Sequence, residues 1–275
     1  MKFSLSVRVA EAPGSKEKTI RSLVQIADLA ANLGYHALCM RASQVGIHTP
    51  IATASTARKI IADHHLAVSM ITGDFPTPIN NDQAPNALRN ITPYLDLADL
   101  LGVDLIRIAM KREEDIAWAQ RAADETRERR IRLAHQSHTQ SLFETTDGSI
   151  ATLKKVNRPN FGLIYEPANL DLCGEDYGSA TLRRFAPWLF NVYLQNHLRH
   201  ADGKSAILTW KQGTVHYDPI RLQDTGGINF PHIFDTLSRM DYDGYITVHQ
   251  AFTEIMEPEQ AAQESIAYLK TLDNL

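Results

Sequence analysis

Cysteine is scarce in this sequence, and neither sign of charge is in large excess. Among 275 residues only Cys39 and Cys173 carry thiols. Two are too few for a disulfide framework and fit a reducing compartment, and a chain of this length buries a sizeable core without such staples. No run approaches the roughly 20 apolar residues that a membrane span needs. Lys and Arg number 28 against 32 Asp and Glu, for a net charge of −4, which removes any general electrostatic reason to bind nucleic acid or an anionic membrane. No Pro-, Gly- or Ser-rich linker and no shift in composition divides the chain, so residues 1–275 read as a single domain. The N-terminus alternates and then meets charge, which reads as a first strand and not as a secretory signal. Together these absences predict a soluble, cytoplasmic globular protein with no nucleic-acid or membrane partner.

What the sequence holds in quantity is alternation. Strand-length apolar runs occur at Phe3–Val9, Ala37–Met40, Leu66–Ile71, Leu105–Ala109, Ile131–His135, Phe161–Tyr165, Leu189–Leu194 and Tyr245–Val248, most of them starting about 30 residues apart. Between them lie segments with helical spacing, such as Leu23, Ile26, Ala27, Ala30 and Leu33, stopped by Gly34, a residue that tolerates a left-handed C-cap. Eight strands, each followed by a helix, is the count of a (β/α)8 barrel. An open doubly wound sheet is the alternative, and it usually stops at five or six strands. One gap breaks the rhythm. After Leu194 no helical pattern returns until Phe230–Met240, and loops of that length are functional or disordered. Ile207, Leu208, Trp210 and Tyr217 argue for order. Residues 197–229 are therefore expected to form a lid over the barrel mouth, with Trp210 as its stacking surface for a ligand.

A barrel of this kind places its chemistry at the C-terminal ends of its strands. Those ends carry Arg8, Arg41 and Arg107, then Gln136-Ser137-His138, Glu166-Pro167-Ala168-Asn169, Tyr193-Leu194-Gln195-Asn196-His197 and His249-Gln250. Forked guanidinium groups suit a carboxylate or phosphate on a substrate. Pairing with internal carboxylates such as Glu166 is the other use of three arginines, and the sequence leaves both open. Asn169 and Asn196 are placed either to hold hydroxyls or to bond the turns they sit in. Glu166 carries the charge of a ligand or a base, and His249, with an unperturbed pKa of about 6.5, suits either role.

Several of these segments resemble the motifs of one family. Leu133-Ala134-His135-Gln136-Ser137-His138 resembles the Glu-Asn-His motif on strand five of the xylose isomerase-like sugar (phosphate) isomerase/epimerase superfamily, related to ketose 3-epimerases. Pro159-Asn160-Phe161-Gly162-Leu163-Ile164-Tyr165-Glu166-Pro167-Ala168-Asn169 is similar to its strand-six motif, Pro-Asn-x-Gly-x-x-x-Asp-Pro-x-Asn. Asn191-Val192-Tyr193-Leu194-Gln195-Asn196 resembles His-Val-His-Val-Lys-Asn on strand seven, and Tyr242-Asp243-Gly244-Tyr245 through His249 resembles Tyr-Asp-Gly-Tyr-x-x-x-Glu on strand eight. The likeness runs from Met1 to the last helix. It departs at the four metal-ligand positions, where Gln136, Glu166, Tyr193 and His249 stand for Glu, Asp, His and Glu.

The resemblance implies a (β/α)8 barrel, a small carbohydrate substrate and homo-oligomeric relatives. It implies one divalent cation, which acidifies the proton alpha to a carbonyl while glutamates shuttle it, and no nucleotide cofactor. Joined to the reading of the strand ends, it gives Glu166 and His249 as catalytic residues. Gln136, His138, Asn169, Tyr193, Asn196, Arg8, Arg41, Arg107 and Trp210 are then the substrate contacts, and Glu166, His138 and His249 the metal ligands. With one carboxylate in that set, Mn²⁺ or Zn²⁺ is expected in preference to Mg²⁺. The expected activity is sugar isomerisation or epimerisation through an alpha proton. A metal-independent lyase or hydratase on a keto-sugar and a non-catalytic sugar-binding barrel are the alternatives. A nuclease on this barrel would need a denser ligand cluster and a basic face.

Overall fold

In the computed structural model, residues 1–273 are described; the last two residues of the expected 1–275 span lie outside them. The apolar runs become strands because each is covered on both faces, by the barrel interior and by helices, a burial that suits continuous aliphatic sequence. The strands are β1 (Lys2–Ser6), β2 (Ala37–Arg41), β3 (Ala67–Thr72), β4 (Leu105–Ile108), β5 (Arg132–Gln136), β6 (Phe161–Tyr165), β7 (Leu189–Leu194), β8 (His197–Arg199), β9 (Ser205–Thr209), β10 (Gly213–Pro219) and β11 (Tyr245–Val248). Eight of them close a parallel barrel in the order β1-β11-β7-β6-β5-β4-β3-β2, with helices between successive strands. This is a (β/α)8 barrel. No helix among the described residues is long and apolar enough to cross a membrane.

Local chemistry sets the boundaries. The helix Leu23–Leu33 starts at a capping box, in which Ser22 Oγ accepts from the Gln25 amide and Gln25 Oε1 accepts from the Ser22 amide. It stops at Gly34, whose φ of 82° is the left-handed cap. The first strand is shorter than its alternating pattern. Ser6 Oγ accepts from the Arg8 amide and opens a 3-10 turn over Val7–Ala10, which lifts Arg8 off the strand and onto the rim.

The long interval after β7 is ordered. β8, β10 and β9 pair antiparallel in that sheet order, separate from the barrel. Asn196 anchors the base of this insert: its Oδ1 accepts from the His197 and Ile228 amides and its Nδ2 donates to the Arg221 carbonyl. Gly227 permits that approach, since a Cβ there would lie 2.1 Å from Asn196 Oδ1.

Inside the barrel, Cys39, Met70, Leu105, Ala134, Ile164 and Tyr193 form one packed cluster, which makes a floor beneath the C-terminal mouth. The larger apolar cluster lies between the strands and the helices.

Candidate active site

Strand period fixes which side chains share the barrel's C-terminal end, because residues two apart face the same side. Two positions beyond Cys39, Leu105, Ala134, Ile164 and Tyr193 stand Arg41, Arg107, Gln136, Glu166 and Gln195. Two beyond the buried Ser4 and Thr247 stand Ser6 and His249. A cavity of about 530 Å³ opens over this ring. Arg8, Arg41, Arg107, Gln136, Gln195 and His249 line its base, Lys16, His138, Asn169 and Asn196 its sides, and Ile207 and Tyr217 of the insert its outer wall.

Glu166 lies under the cavity, fully buried, and does not line it. Its Oε2 accepts from Gln136 Nε2 and from Asn169 Nδ2, the latter at 2.9 Å, and its Oε1 accepts from Gln195 Nε2. Burial pushes this carboxyl up to about 7, against the downward pull of the Gln195 bond and of Arg8 and Arg107. Three side-chain amides are thus oriented by one carboxylate, and the Oε1 of Gln136 is left without a partner among the described residues.

Two imidazoles face the same space. His249 stacks on Tyr193 with ring centroids 3.8 Å apart, and its Nδ1 is 3.2 Å from Ser6 Oγ. Burial, then Arg8, Arg41, Arg107 and Lys16, hold its pKa well below the usual imidazole value. His138 Nδ1 donates to the Thr139 carbonyl at 3.0 Å, which leaves the lone pair on Nε2. Burial and Arg107 lower its pKa in the same way. Both rings are neutral bases at physiological pH.

The three arginines divide. Arg41 Nε and Nη2 form a buried forked pair with Glu11 Oε1 and Oε2 at 2.6 and 3.1 Å, and Ser43 Oγ donates to the same carboxylate. Its internal partner is Glu11, a residue no sequence motif marks, and not Glu166. Arg8 Nη1 donates to Gln195 Oε1 and to the His249 carbonyl, both neutral acceptors. Arg107 is 4% exposed and makes no side-chain hydrogen bond or ion pair among the described residues. Its guanidinium lies 6.0 Å from the Tyr193 ring centroid. Lys16 Nζ donates to the Pro78 carbonyl at 2.7 Å, and burial with the nearby arginines pulls its ammonium down to about 7.

Three sequence expectations change on this geometry. Tyr193 is a floor residue: it is fully buried, bonded through its hydroxyl to Cys39 Sγ at 3.3 Å, and does not line the cavity. Gln195, two residues on, occupies the level assigned to it. Trp210 sits 56% exposed in the turn between β9 and β10, outside the cavity lining, and Tyr217 and Ile207 hold the wall instead. The third is the metal set of Glu166, His138 and His249. Among the described residues no three His, Cys, Asp or Glu side chains are grouped to hold an ion. The Glu166 carboxylate at the base is capped by amide N–H donors and lies within the field of Arg8 and Arg107. Donor hydrogens and guanidinium charge oppose a cation, so these residues do not fit a Mn²⁺, Zn²⁺ or Mg²⁺ centre. Asn196 does line the cavity, but its amide is spent on the insert.

The architecture has well-matched solved counterparts. The probable 3-DHS dehydratase of Bacillus anthracis superposes with a TM-score of 0.75 at 16% identity, covering 98% of this chain and 99% of that one. A xylose isomerase-like TIM barrel protein of Mycobacterium smegmatis, solved in complex with magnesium, gives 0.71 at 16% identity over 99% and 97%. The D-allulose 3-epimerase of Methylomonas sp. gives 0.69 at 15% identity over 99% and 98%. At such identities the likeness is one of fold. No curated protein matches the chain in sequence. The family model described as a xylose isomerase-like TIM barrel matches residues 14–272, nearly the whole length, and the chain belongs to that family.

Proposed function

We propose that this chain is an enzyme that moves the proton alpha to the carbonyl of a sugar or sugar acid, with the His249 imidazole as the base. The observation that carries the reading is a neutral imidazole opening onto a cavity whose charged base is cationic. When His249 Nδ1–H donates to Ser6 Oγ, Nε2 keeps the lone pair that removes the proton. The electron pair of the broken C–H bond moves to the carbonyl oxygen, and the resulting enolate charge is stabilised by the guanidinium of Arg8, which is bonded to the His249 carbonyl. Gln136 and Asn169 meet the hydroxyls. Glu166 acts through them as a positioning residue, because its two oxygens hold the three amides in one orientation. Returning the proton to carbon gives an isomer or epimer, the class of the Methylomonas neighbour.

Alternatively the enolate re-forms the carbonyl and a new C=C bond by expelling a β-hydroxyl, which leaves as water with the proton that His249 took, and the enzyme is then a dehydratase, the class named for the Bacillus neighbour. The pair at the mouth is unequal: one imidazole stands at the end of β11 and His138 beyond β5, and among the described residues no opposed carboxylate lines the base. That asymmetry favours elimination over a symmetric two-base epimerisation.

The test is solvent exchange in D2O across a panel of ketoses and keto sugar acids, followed by proton NMR. Wild type is expected to wash out one alpha-proton signal in at least one compound. His249→Gln is expected to slow that exchange by roughly 10²- to 10⁴-fold, the usual yield of a positioned base, with little change in melting temperature. Exchange at the wild-type rate in His249→Gln would sink the assignment.

A further inference from the structure

Proton transfer accounts for His249, Arg8 and the amides, yet it has no use for the most costly group in the cavity. Arg107 reaches the base from β4, is 4% exposed, and its Nε has no partner among the described residues. An arginine buried without a bonded anion carries a desolvation penalty, which the field of the amide-capped Glu166 offsets only in part. The fold closes the same problem elsewhere, since Arg41, on β2, is neutralised by the forked bond to Glu11. No described residue serves Arg107 in that way. Glu166 has both oxygens occupied by amides, Glu11 belongs to Arg41, and Glu254 is exposed on the rim. Arg8 adds a second buried Nε without a partner, and Lys16, from the loop after β1, bonds to a neutral backbone carbonyl.

We infer that Arg107 and Lys16, with the charge of Arg8 beside them, form an anion subsite that takes the carboxylate or phosphate oxygens of the substrate, so that the substrate is an acidic sugar and not a neutral ketose. The inference deepens the proposed function and rests on it only in calling the occupant a substrate. A guanidinium offers parallel N–H donors at the spacing of two oxygens on one acid group, and an ammonium supplies a point charge that tolerates variable approach. The cavity of about 530 Å³ has room for a six- or seven-carbon acid. The bound anion would complete for Arg107 what Glu11 completes for Arg41.

The experiment is titration calorimetry with thermal melting on the full chain. The probes are D-gluconate, 6-phospho-D-gluconate, inorganic phosphate and neutral D-fructose. Wild type is expected to bind the anions and to melt higher in their presence, with a gain that shrinks as salt rises, while D-fructose at equal concentration has less effect. Tighter binding of gluconate than of phosphate assigns a carboxylate; the reverse order assigns a phosphate. Arg107→Met is expected to lose at least about tenfold in anion affinity and to melt higher than wild type without any anion, because a buried charge with no bonded partner is gone. Arg107→Lys keeps the charge without the fork and should lie between the two in affinity, which carries the test if the methionine variant does not fold. Anion affinity unchanged in either variant, or D-fructose bound as well as gluconate, would overturn the subsite. Anion binding without alpha-proton exchange would leave the subsite standing and remove the proton-transfer reading, and exchange of neutral ketoses without anion binding would do the opposite.

Discussion

Two residues along a strand separate the packed floor of this barrel from its polar, charged end. On the floor, Cys39, Met70, Leu105, Ala134, Ile164 and Tyr193 pack together, and the polar residues at that depth pair with one another, Ser4 with Ser69 and Thr247 with Asn191. Of these, only Asn191 Nδ2 is a buried atom left unpaired. One step up, the same strands carry arginine, glutamine, glutamate and histidine, and the unpartnered buried atoms include Arg107 Nε, Gln136 Oε1 and Thr72 Oγ1, with Arg8 Nε beside them. Each such atom costs about 1–3 kcal/mol. Secondary structure does not distinguish the layers. What distinguishes them is how fully the protein itself supplies the partners.

The sharpest way to break this comparison is to treat the two deeply buried arginines alike. Arg41→Met leaves Glu11 buried without its partner and is expected to cost about 4 kcal/mol in urea unfolding. The same exchange at Arg107 raises stability if its partner is an external anion. Equal losses at both positions would show that Arg107 is neutralised by something within the fold.

Glu166 sharpens it through pH. Its carboxyl, pushed up to about 7 by burial, keeps a proton in the native state through a range where the unfolded chain, with an ordinary glutamate near 4.5, has lost it. The native state binds more protons between those values, so the Glu166 contribution to stability falls as pH rises from about 4.5 to 7. Glu166→Gln has no such loss. Relative to wild type, its stability should improve by up to about 3 kcal/mol between about pH 5 and pH 8, measured by urea unfolding at each pH. A flat difference would mean that Glu166 is already ionised at the acid end of that range.

The smallest effect belongs to the floor. Ile164→Val removes one methylene two residues below Glu166 and is expected to cost about 1 kcal/mol, equally at both ends of the same pH range. A pH-dependent cost there would show that floor and rim are coupled.

Much of the barrel is legible in the chain. Phe161–Tyr165, Leu189–Leu194 and Tyr245–Val248 are strands at the bounds their apolar runs predict, and Gly34 caps the helix before it. These are local effects, set by side-chain periodicity and by glycine's access to positive φ. Gln195 is legible too, because counting in twos from the interior face of β7 reaches it, whereas motif matching assigns the ligand position to Tyr193. Trp210 shows the limit of reasoning from residue type: an aromatic in a lid segment can as well cap a turn in water, and only the pairing of β9 with β10 decides which.

The sequence by itself determined the count of barrel strands, the end of the barrel at which charged and polar side chains gather, and most of the residues at the strand ends there, because each follows from spacing along one strand. Only the tertiary structure decided which of those residues already have partners. Glu11, from the loop after β1, closes on Arg41 while no described residue closes on Arg107, and three amides seal the Glu166 carboxylate at the base. Both outcomes depend on side chains from separate strands and loops meeting in space. Charge neutralisation and hydrogen bonding act between atoms a few ångströms apart, and neighbours at that distance are set by the closed barrel, whatever their separation along the chain.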